Sequence, residues 1–116
     1  MWLINTSTLE LEEFIGSDIP SYAILSHTWE DGEVTFHDAK AKLLEKQNSQ
    51  GARKVAKACE LAAQQGLAYA WVDTCCIDKS SSAELTEAIN SMFQWYRSSN
   101  ICLVYLSDFE PHENNT

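Results

Sequence analysis

Two short apolar segments in this sequence end abruptly in residues that can carry chemistry. Each is predicted to be a buried strand, 22–26 and 68–74, whose carboxyl end opens into a polar loop. In open α/β sheets ligands bind outside the carboxyl ends of the strands, so these two ends form the predicted ligand site. Six residues make up the candidate binding set: Ser26, His27, Trp29, Asp73, Cys75 and Asp78.

These side chains suit a flat polar ligand, but each also has a structural explanation. An exposed indole at Trp29 beside His27 suits stacking on a flat ring. Alternatively, Trp29 covers the end of the sheet and His27 bonds a loop carbonyl. Asp73 could act as a base or cap a turn, and Asp78 could form a surface pair with Lys79. No glycine-rich phosphate loop is present, so neither a P-loop nor a dinucleotide fingerprint is predicted.

The four cysteines indicate neither a metal site nor a disulfide framework. They form no C-x-x-C pair, and no pair of histidines lies nearby. We expect reduced and mostly buried thiols, with Cys59 on an apolar helical face and Cys102 in a strand. Since side chains alternate along a strand, at most one of Cys75 and Cys76 should face the cleft.

Composition limits the class of protein. The chain has 116 residues, which is the length of one small domain, with 8 Lys and Arg against 17 Asp and Glu. Its formal charge of −9 repels phosphate backbones, so nucleic acid is not expected as a partner. The amino terminus lacks a basic and apolar leader, and no stretch approaches the roughly 18 apolar residues of a membrane span. A cytoplasmic protein without a membrane partner is therefore predicted.

A capping signal near the amino terminus predicts a short helix. The pattern Ser7-x-x-Glu10 is a capping box, and Gly16 is a natural stop. In such a helix Leu11, Phe14 and Ile15 would face inward.

Three further helices are predicted along the chain. A short extended piece at 34–36 precedes a solvated helix at 37–47, and the next helix covers 52–65 and stops at Gly66. The last helix begins at the capping box 81–84 and carries an apolar stripe that should pack on the sheet. The stripe consists of Leu85, Ala88, Ile89, Met92, Phe93 and Tyr96.

The alternation of strands and helices predicts an α/β fold, in which a parallel sheet with right-handed crossovers is flanked by helices. The third strand, 101–106, breaks at Ser107-Asp108. With the first strand central, the order is 2-1-3 and all three carboxyl ends lie along one rim. The third strand would then lie at an edge of the sheet, where it invites pairing with another chain.

Several segments, spread over nearly the whole sequence, carry a family resemblance. They are Tyr22–Trp29, Glu33–Phe36, Ala56–Leu61, Trp71–Leu85, Ala88–Met92, Trp95–Tyr96 and Tyr105–Asp108. Together they resemble the fungal HET (heterokaryon incompatibility) domain. Residues 1–108 are accordingly interpreted as the amino-terminal portion of such a domain, and residues 109–116 as an acidic tail.

The resemblance implies a role in nonself recognition and in regulated cell death when incompatible hyphae fuse. It also implies distant kinship with TIR domains, and hence a TIR-like or flavodoxin-like sheet of which the order 2-1-3 is a part. Several TIR domains assemble and cleave NAD, using a glutamate on the helix after the third strand. NAD is therefore the candidate substrate, with Trp29 stacking on a base while Ser26, His27 and Asp73 orient ribose or amide groups.

Two departures limit this expectation. The family usually has Gly where this chain has Glu30, and its later Arg-Gly-Trp-Thr-Leu-Gln-Glu-Leu stretch, which corresponds to the helix bearing the TIR glutamate, has no counterpart. Because Glu84 lies on the helix after the second strand, it is not given that role, and no catalytic residue, metal or certain cofactor is assigned.

The expected mode of action is protein association, with a second copy or with longer HET-domain proteins, and NAD cleavage is the alternative, expected to be inactive in this short form. A phosphoacceptor receiver domain using Asp73 is a third reading. It lacks the acidic pair expected after its first strand, where Ser26 and His27 stand.

Overall fold

A computed structural model of the protein describes residues 1–16, 18–27, 33–41 and 50–105. Five strands and three helices occur in these ranges, and none of the described helices is long and apolar enough to cross a membrane. In chain order they are β1 (Trp2–Asn5), β2 (Leu11–Glu13), β3 (Tyr22–His27), α1 (Phe36–Lys40), α2 (Gln50–Gln64), β4 (Tyr69–Val72), α3 (Ser82–Ser98) and β5 (Ile101–Tyr105). The strands form one mixed sheet in the order β2-β1-β4-β3-β5.

The amino-terminal segment is a β-hairpin, so the predicted helix starting at Ser7 is wrong. The Asn5 side chain accepts hydrogen bonds from the backbone N–H groups of Ser7 and Thr8, at 2.8 and 3.1 Å. The backbone N–H of Asn5 donates to the Glu10 carbonyl at 2.9 Å. These bonds offer the backbone a turn in place of a helix. Leu9 completes the reversal with a φ of 61°.

The same hairpin overturns the expectation of a parallel sheet. Strand β1 pairs antiparallel with both β2 and β4, whereas β3 pairs parallel with β4 and with β5. The three parallel strands stand in the order β4-β3-β5, with β3 between the other two. Ile15, expected to face inward, is 79% exposed just beyond β2.

Helix α2 forms where the sequence predicts it and covers one face of β3 and β4. Val55, Ala58 and Ala62 lie in the core along its inner face. The helix stops at Gly66, whose φ of +79° lets the Leu67 N–H turn back to the Ala62 carbonyl at 3.0 Å. Glycine is suited to this stop because a left-handed backbone brings its side chain no steric penalty.

Helix α3 lies on the opposite face of the sheet. The crossovers β3-α2-β4 and β4-α3-β5 step in opposite directions across the sheet, so right-handed connections place their helices on opposite faces. The fully buried Trp71 accordingly packs edge-on against Trp95 and Tyr96, with ring centroids 5.5 and 6.2 Å apart. The predicted apolar stripe is only partly in the core, because Ile89 and Phe93 are 64% and 74% exposed.

Candidate functional site

Ser26 and Asp73 come together around a tyrosine that sequence reasoning assigned to the core. Ser26 lies near the end of β3, and Asp73 directly follows β4. Burial raises the pKa of the Tyr96 hydroxyl, the charge of Asp73 raises it further, and a hydrogen bond with the Ser26 side chain acts in the opposite direction. The sequence did not indicate that Tyr96 would reach the rim. Its position in the apolar stripe of α3 is equally compatible with a tyrosine that packs in the core.

The remaining predicted residues are placed less uniformly. The backbone of His27 ends β3, while Trp29 lies outside the described residues, as does the predicted strand break at Ser107 and Asp108. Asp78 lies in the loop 73–81 between β4 and α3, at the rim, and is half-buried. Cys75 belongs to the core instead, because its residue is 0% exposed.

The thiols of the loop form a buried group with one from α2. The free thiols of Cys75 and Cys76 are hydrogen-bonded to each other. This hydrogen bond raises the pKa of Cys75 well above its usual value, and burial adds to the effect. The Sγ atom of Cys76 also accepts the Val72 N–H at 3.3 Å. Burial raises the pKa of Cys59 to about 12. Thiols held protonated in this way are poor nucleophiles, and Cys102, which was expected to be buried, is exposed at the edge strand.

The loop after β4 is fixed by its own polar groups. Lys79 Nζ donates to the Asp73 carbonyl at 2.5 Å, and the Asp78 N–H donates to Glu84 Oε1 at 3.1 Å. The carboxylate of Asp78 accepts from both the hydroxyl and the N–H of Ser80, and the hydroxyl bond is the main cause of its lowered pKa. The described side chains of Asp78 and Lys79 thus hold the loop in shape.

Glu84 has a structural role that the sequence pattern only half predicted. Ser81 is the N-cap of α3, and its hydroxyl accepts the Glu84 N–H at 3.3 Å. A complete capping box would also return the Glu84 side chain to the N-cap N–H. That side chain instead binds the Asp78 N–H, so it ties the loop to the helix.

A cavity of about 210 Å³ lies beside this loop, against the chain segment 33–37. Val34, Phe36 and Ile77 supply apolar walls, and polar groups at the opening include His37 and Lys79. Thr74 also lines the cavity. It is 5% exposed, and its hydroxyl has no hydrogen-bond partner among the described residues.

The segment bordering the cavity is held by an ion pair that sequence reasoning missed. Lys54 Nζ lies 2.6 Å from Glu33 Oε2, with the two side chains 1% and 11% exposed. The segment then enters α1 through a complete capping box between Thr35 and Asp38. The helical spacing could have indicated that Lys54 is buried, because it lies next to Val55 on the buried side of α2.

The side chains around the cavity are mainly hydrogen-bond donors and apolar walls. No group of three or more metal-ligating side chains occurs within the described part of the chain. His37 Nε2 lies 3.8 Å from Asp78 Oδ1, and burial lowers the pKa of Lys79. The rim therefore offers hydroxyl, imidazole and ammonium donors beside apolar walls, an arrangement that can orient a ligand by hydrogen bonds.

Fold and site together define an α/β domain with a small cavity beside the loop that follows strand β4. The chain belongs to the heterokaryon incompatibility family: the family model described as heterokaryon incompatibility protein (HET) matches residues 22–116. Over 93 residues it is 50% identical to vegetative incompatibility protein HET-E-1 of Podospora anserina. This match covers 78% of the chain but 7% of that relative's length. No solved structure matches significantly.

Proposed function

We propose that this domain acts in nonself recognition in the cytoplasm of a filamentous fungus, by a TIR-like association of copies that leads to regulated cell death. Family membership supports the incompatibility role, and the relative from Podospora anserina bears a name of the same meaning. The observation that carries the association is an uncovered apolar surface, formed by Ile89 and Phe93 of α3 with Cys102 of the edge strand β5. We refer to it as the α3–β5 surface.

The register of the sheet places Cys102 on the face that α3 covers. Ile24 stands opposite both Trp71 and Cys102 in its two parallel pairings, so all three side chains project from the same face. Ile24 and Trp71 are 0% exposed, yet Cys102 is exposed. Helix α3 thus buries this face at Trp71 of β4 and Ile24 of β3 and leaves Cys102 of β5 exposed.

The exposed side chains of α3 project toward the same edge. Trp95 lines cavities shared with Met1 of the hairpin, and the next residue, Tyr96, reaches Ser26 of β3. One residue turns an α-helix by about 100°. By that geometry the side chains of Ile89 and Phe93 lie further around the helix axis from Trp95 than Tyr96 does, in the same direction. They therefore project away from the hairpin and toward β5.

A second copy of the chain fits this surface. Strand β5 lies at one edge of the described sheet, and edge strands are the ones that can pair with another chain. Pairing of two edges would bring two α3–β5 surfaces together and remove their apolar side chains from water. Such isologous contact is the commonest arrangement in soluble oligomers.

Analytical ultracentrifugation of the purified chain tests the association. The parent should show a concentration-dependent dimer or higher species in the micromolar range, and Phe93→Lys should shift it to monomer. Gln64→Lys is the matched control, since it adds the same charge at an exposed position of α2, on the opposite face of the sheet from α3. A parent that stays monomeric at several hundred micromolar, or equal weakening by both variants, would refute the proposed surface.

The alternative function is NAD binding at the rim. It is favoured by the apolar-walled cavity beside the loop 73–81 and by the cluster of Ser26, Asp73 and Tyr96. Calorimetry with NAD tests it: if Trp29 stacks on a base, Trp29→Ala should weaken binding by about 1 to 3 kcal/mol. Absence of heat with the parent chain would remove the alternative.

Cleavage of NAD by this chain is expected to be weak or absent. A ribosyl cation forming as nicotinamide leaves needs a positioned carboxylate, and the Asp78 and Glu84 carboxylates are both engaged in holding the loop. Nicotinamide release from NAD is the measurement. Robust turnover that Glu84→Ala or Asp78→Ala abolishes, in a variant that remains folded by circular dichroism, would assign these residues to catalysis.

A further inference from the structure

A groove runs between α3 and the amino-terminal hairpin, on the side of α3 facing away from the α3–β5 surface. Three cavities of about 290, 330 and 370 Å³ are arranged along it, and all three are lined by Met1 and Trp95. Their α3 residues extend from the N-cap Ser81 to Ser98. At a rise of about 1.5 Å per residue this is a length of roughly 25 Å. We call it the hairpin groove.

The lining of the hairpin groove combines apolar contacts with negative charge. Met1, Ile19 and Trp95 are only partly covered by the core, and Ile15 projects beside them. The carboxylates along it are those of Glu13, Glu84 and Glu87. Among the described residues, no Lys, Arg or His side chain lines any of the three cavities.

The one cationic group that lines the groove among the described residues is already engaged. The terminal ammonium of Met1 donates to the Phe14 carbonyl at 3.0 Å, which closes the hairpin. Glu13 and Glu87 are both exposed, so their charges face whatever occupies the groove. The formal charge of −9 over the whole chain reinforces this local field and would steer a cationic partner toward it.

We propose that the hairpin groove docks a basic amphipathic helix of a partner protein. A long shallow cleft with apolar contacts accommodates a helix through side chains at positions i, i+3, i+4 and i+7. Lys or Arg on the flanks of that helix would then meet Glu13 on one wall and Glu87 on the other. The charge of the groove disfavours anionic ligands, and its length exceeds that of a small metabolite.

A synthetic probe tests this proposal. The probe is a fluorescein-labelled helical peptide of 16 residues, with Leu at positions i, i+3, i+4 and i+7 and Lys at the flanking positions. Its binding to the folded chain is measured by fluorescence anisotropy. We expect saturable binding that weakens as salt is raised, since the contacts are partly exposed charges. A control peptide with Glu in place of every Lys should not bind.

Charge reversals locate the site. Glu13→Lys and Glu87→Lys should each weaken peptide binding about tenfold, the effect of about 1.4 kcal/mol. Glu60→Lys makes the same change in net charge on exposed α2 and should cost less than about twofold, because its separation from the groove allows salt to screen it. Phe93→Lys, which disrupts the proposed α3–β5 surface, should leave peptide binding unchanged.

Three results would overturn the proposal. One is absence of saturable binding, and another is binding of the acidic control peptide with equal affinity. The third is equal weakening by Glu60→Lys and Glu87→Lys, which would show attraction to net charge alone. If Glu87→Lys instead lowers self-association of the chain while the peptide does not bind, the groove belongs to a contact between copies. Circular dichroism of each variant confirms that the fold is intact.

Discussion

The buried ion pair between Glu33 and Lys54 offers the sharpest test of how the rim is held. Lys54→Met removes the cation while keeping most of the length of its side chain. At 2.6 Å the gross attraction is about 6 kcal/mol with an effective dielectric constant of about 20. Hydration lost by the two groups offsets part of this. We therefore expect the variant to lose about 3 to 5 kcal/mol of unfolding free energy, because a carboxylate stays behind in a mostly buried position.

Helix α2 supplies a matched control. Lys57 lies 2.9 Å from Glu60, but both side chains are 58% exposed. Solvent screens such a pair, so Lys57→Met should cost no more than about 1 kcal/mol. Urea denaturation followed by tryptophan fluorescence measures both losses, with equal slopes required so that the midpoints can be compared.

A double replacement separates the pair from its surroundings. Glu33→Leu with Lys54→Met removes both charges and should recover much of the lost stability, since an apolar pair of similar size often replaces a buried ion pair without cost. Equal losses in Lys54→Met and Lys57→Met would refute the reasoning. The reasoning would also be refuted if the double variant lost more unfolding free energy than the two single variants lose together. A charge left in a buried position would then not explain the losses of the single variants.

Other predictions follow from caps and thiols. Ser81→Ala should destabilise the fold by about 1 kcal/mol through loss of the α3 N-cap, whereas Ser82→Ala, one residue further along, should have little effect on the urea midpoint. At pH 8, Ellman's reagent should modify Cys102 rapidly and the buried thiols only on unfolding, and Cys102→Ser should abolish the fast phase. Because burial raises the pKa of Cys59 from 9.0 to about 12, the unfolded chain ionises first, so the free energy of unfolding should fall as pH rises through that range. Cys59→Ala should flatten this part of the profile, and an unchanged profile would contradict it.

The parallel part of the fold could be predicted because its signals are local. The apolar runs that became β3 and β4, and the spacing of Val55, Ala58 and Ala62 in α2, each point to one structure within a single element. The stop at Gly66 is equally local, since only the following turn decides it.

The amino-terminal hairpin could not be predicted in the same way. Ser7 and Glu10 match a helix-capping pattern. The Asn5 side chain, which lies outside that pattern, instead accepts hydrogen bonds from the Ser7 and Thr8 N–H groups. The four residues of β1 are too few to show a period, and their pairing partner β4 lies more than sixty residues away in the chain. Pairing at such a separation is decided by the fold as a whole.

Strand ends could be located from the sequence, but not all the side chains that lie near them. Strand ends identified Ser26 and Asp73, because carboxyl ends of parallel strands meet at one rim. Tyr96 was not predicted there, because the apolar stripe of its helix indicated a core position. Cys75 was predicted at the rim but is buried in the core. Lys54 shows the same limit: a lysine on a helix is usually solvated, and only its distant partner Glu33 accounts for its burial.

An incompatibility assay in living hyphae tests whether the α3–β5 surface is needed for signalling. The chain, Phe93→Lys and Gln64→Lys would be expressed at equal abundance in a filamentous fungus, with growth arrest and uptake of a vital dye as readouts. We predict that the parent and Gln64→Lys trigger cell death and that Phe93→Lys, folded but monomeric, does not. Cell death of equal strength with the monomeric Phe93→Lys variant would contradict signalling through the α3–β5 surface.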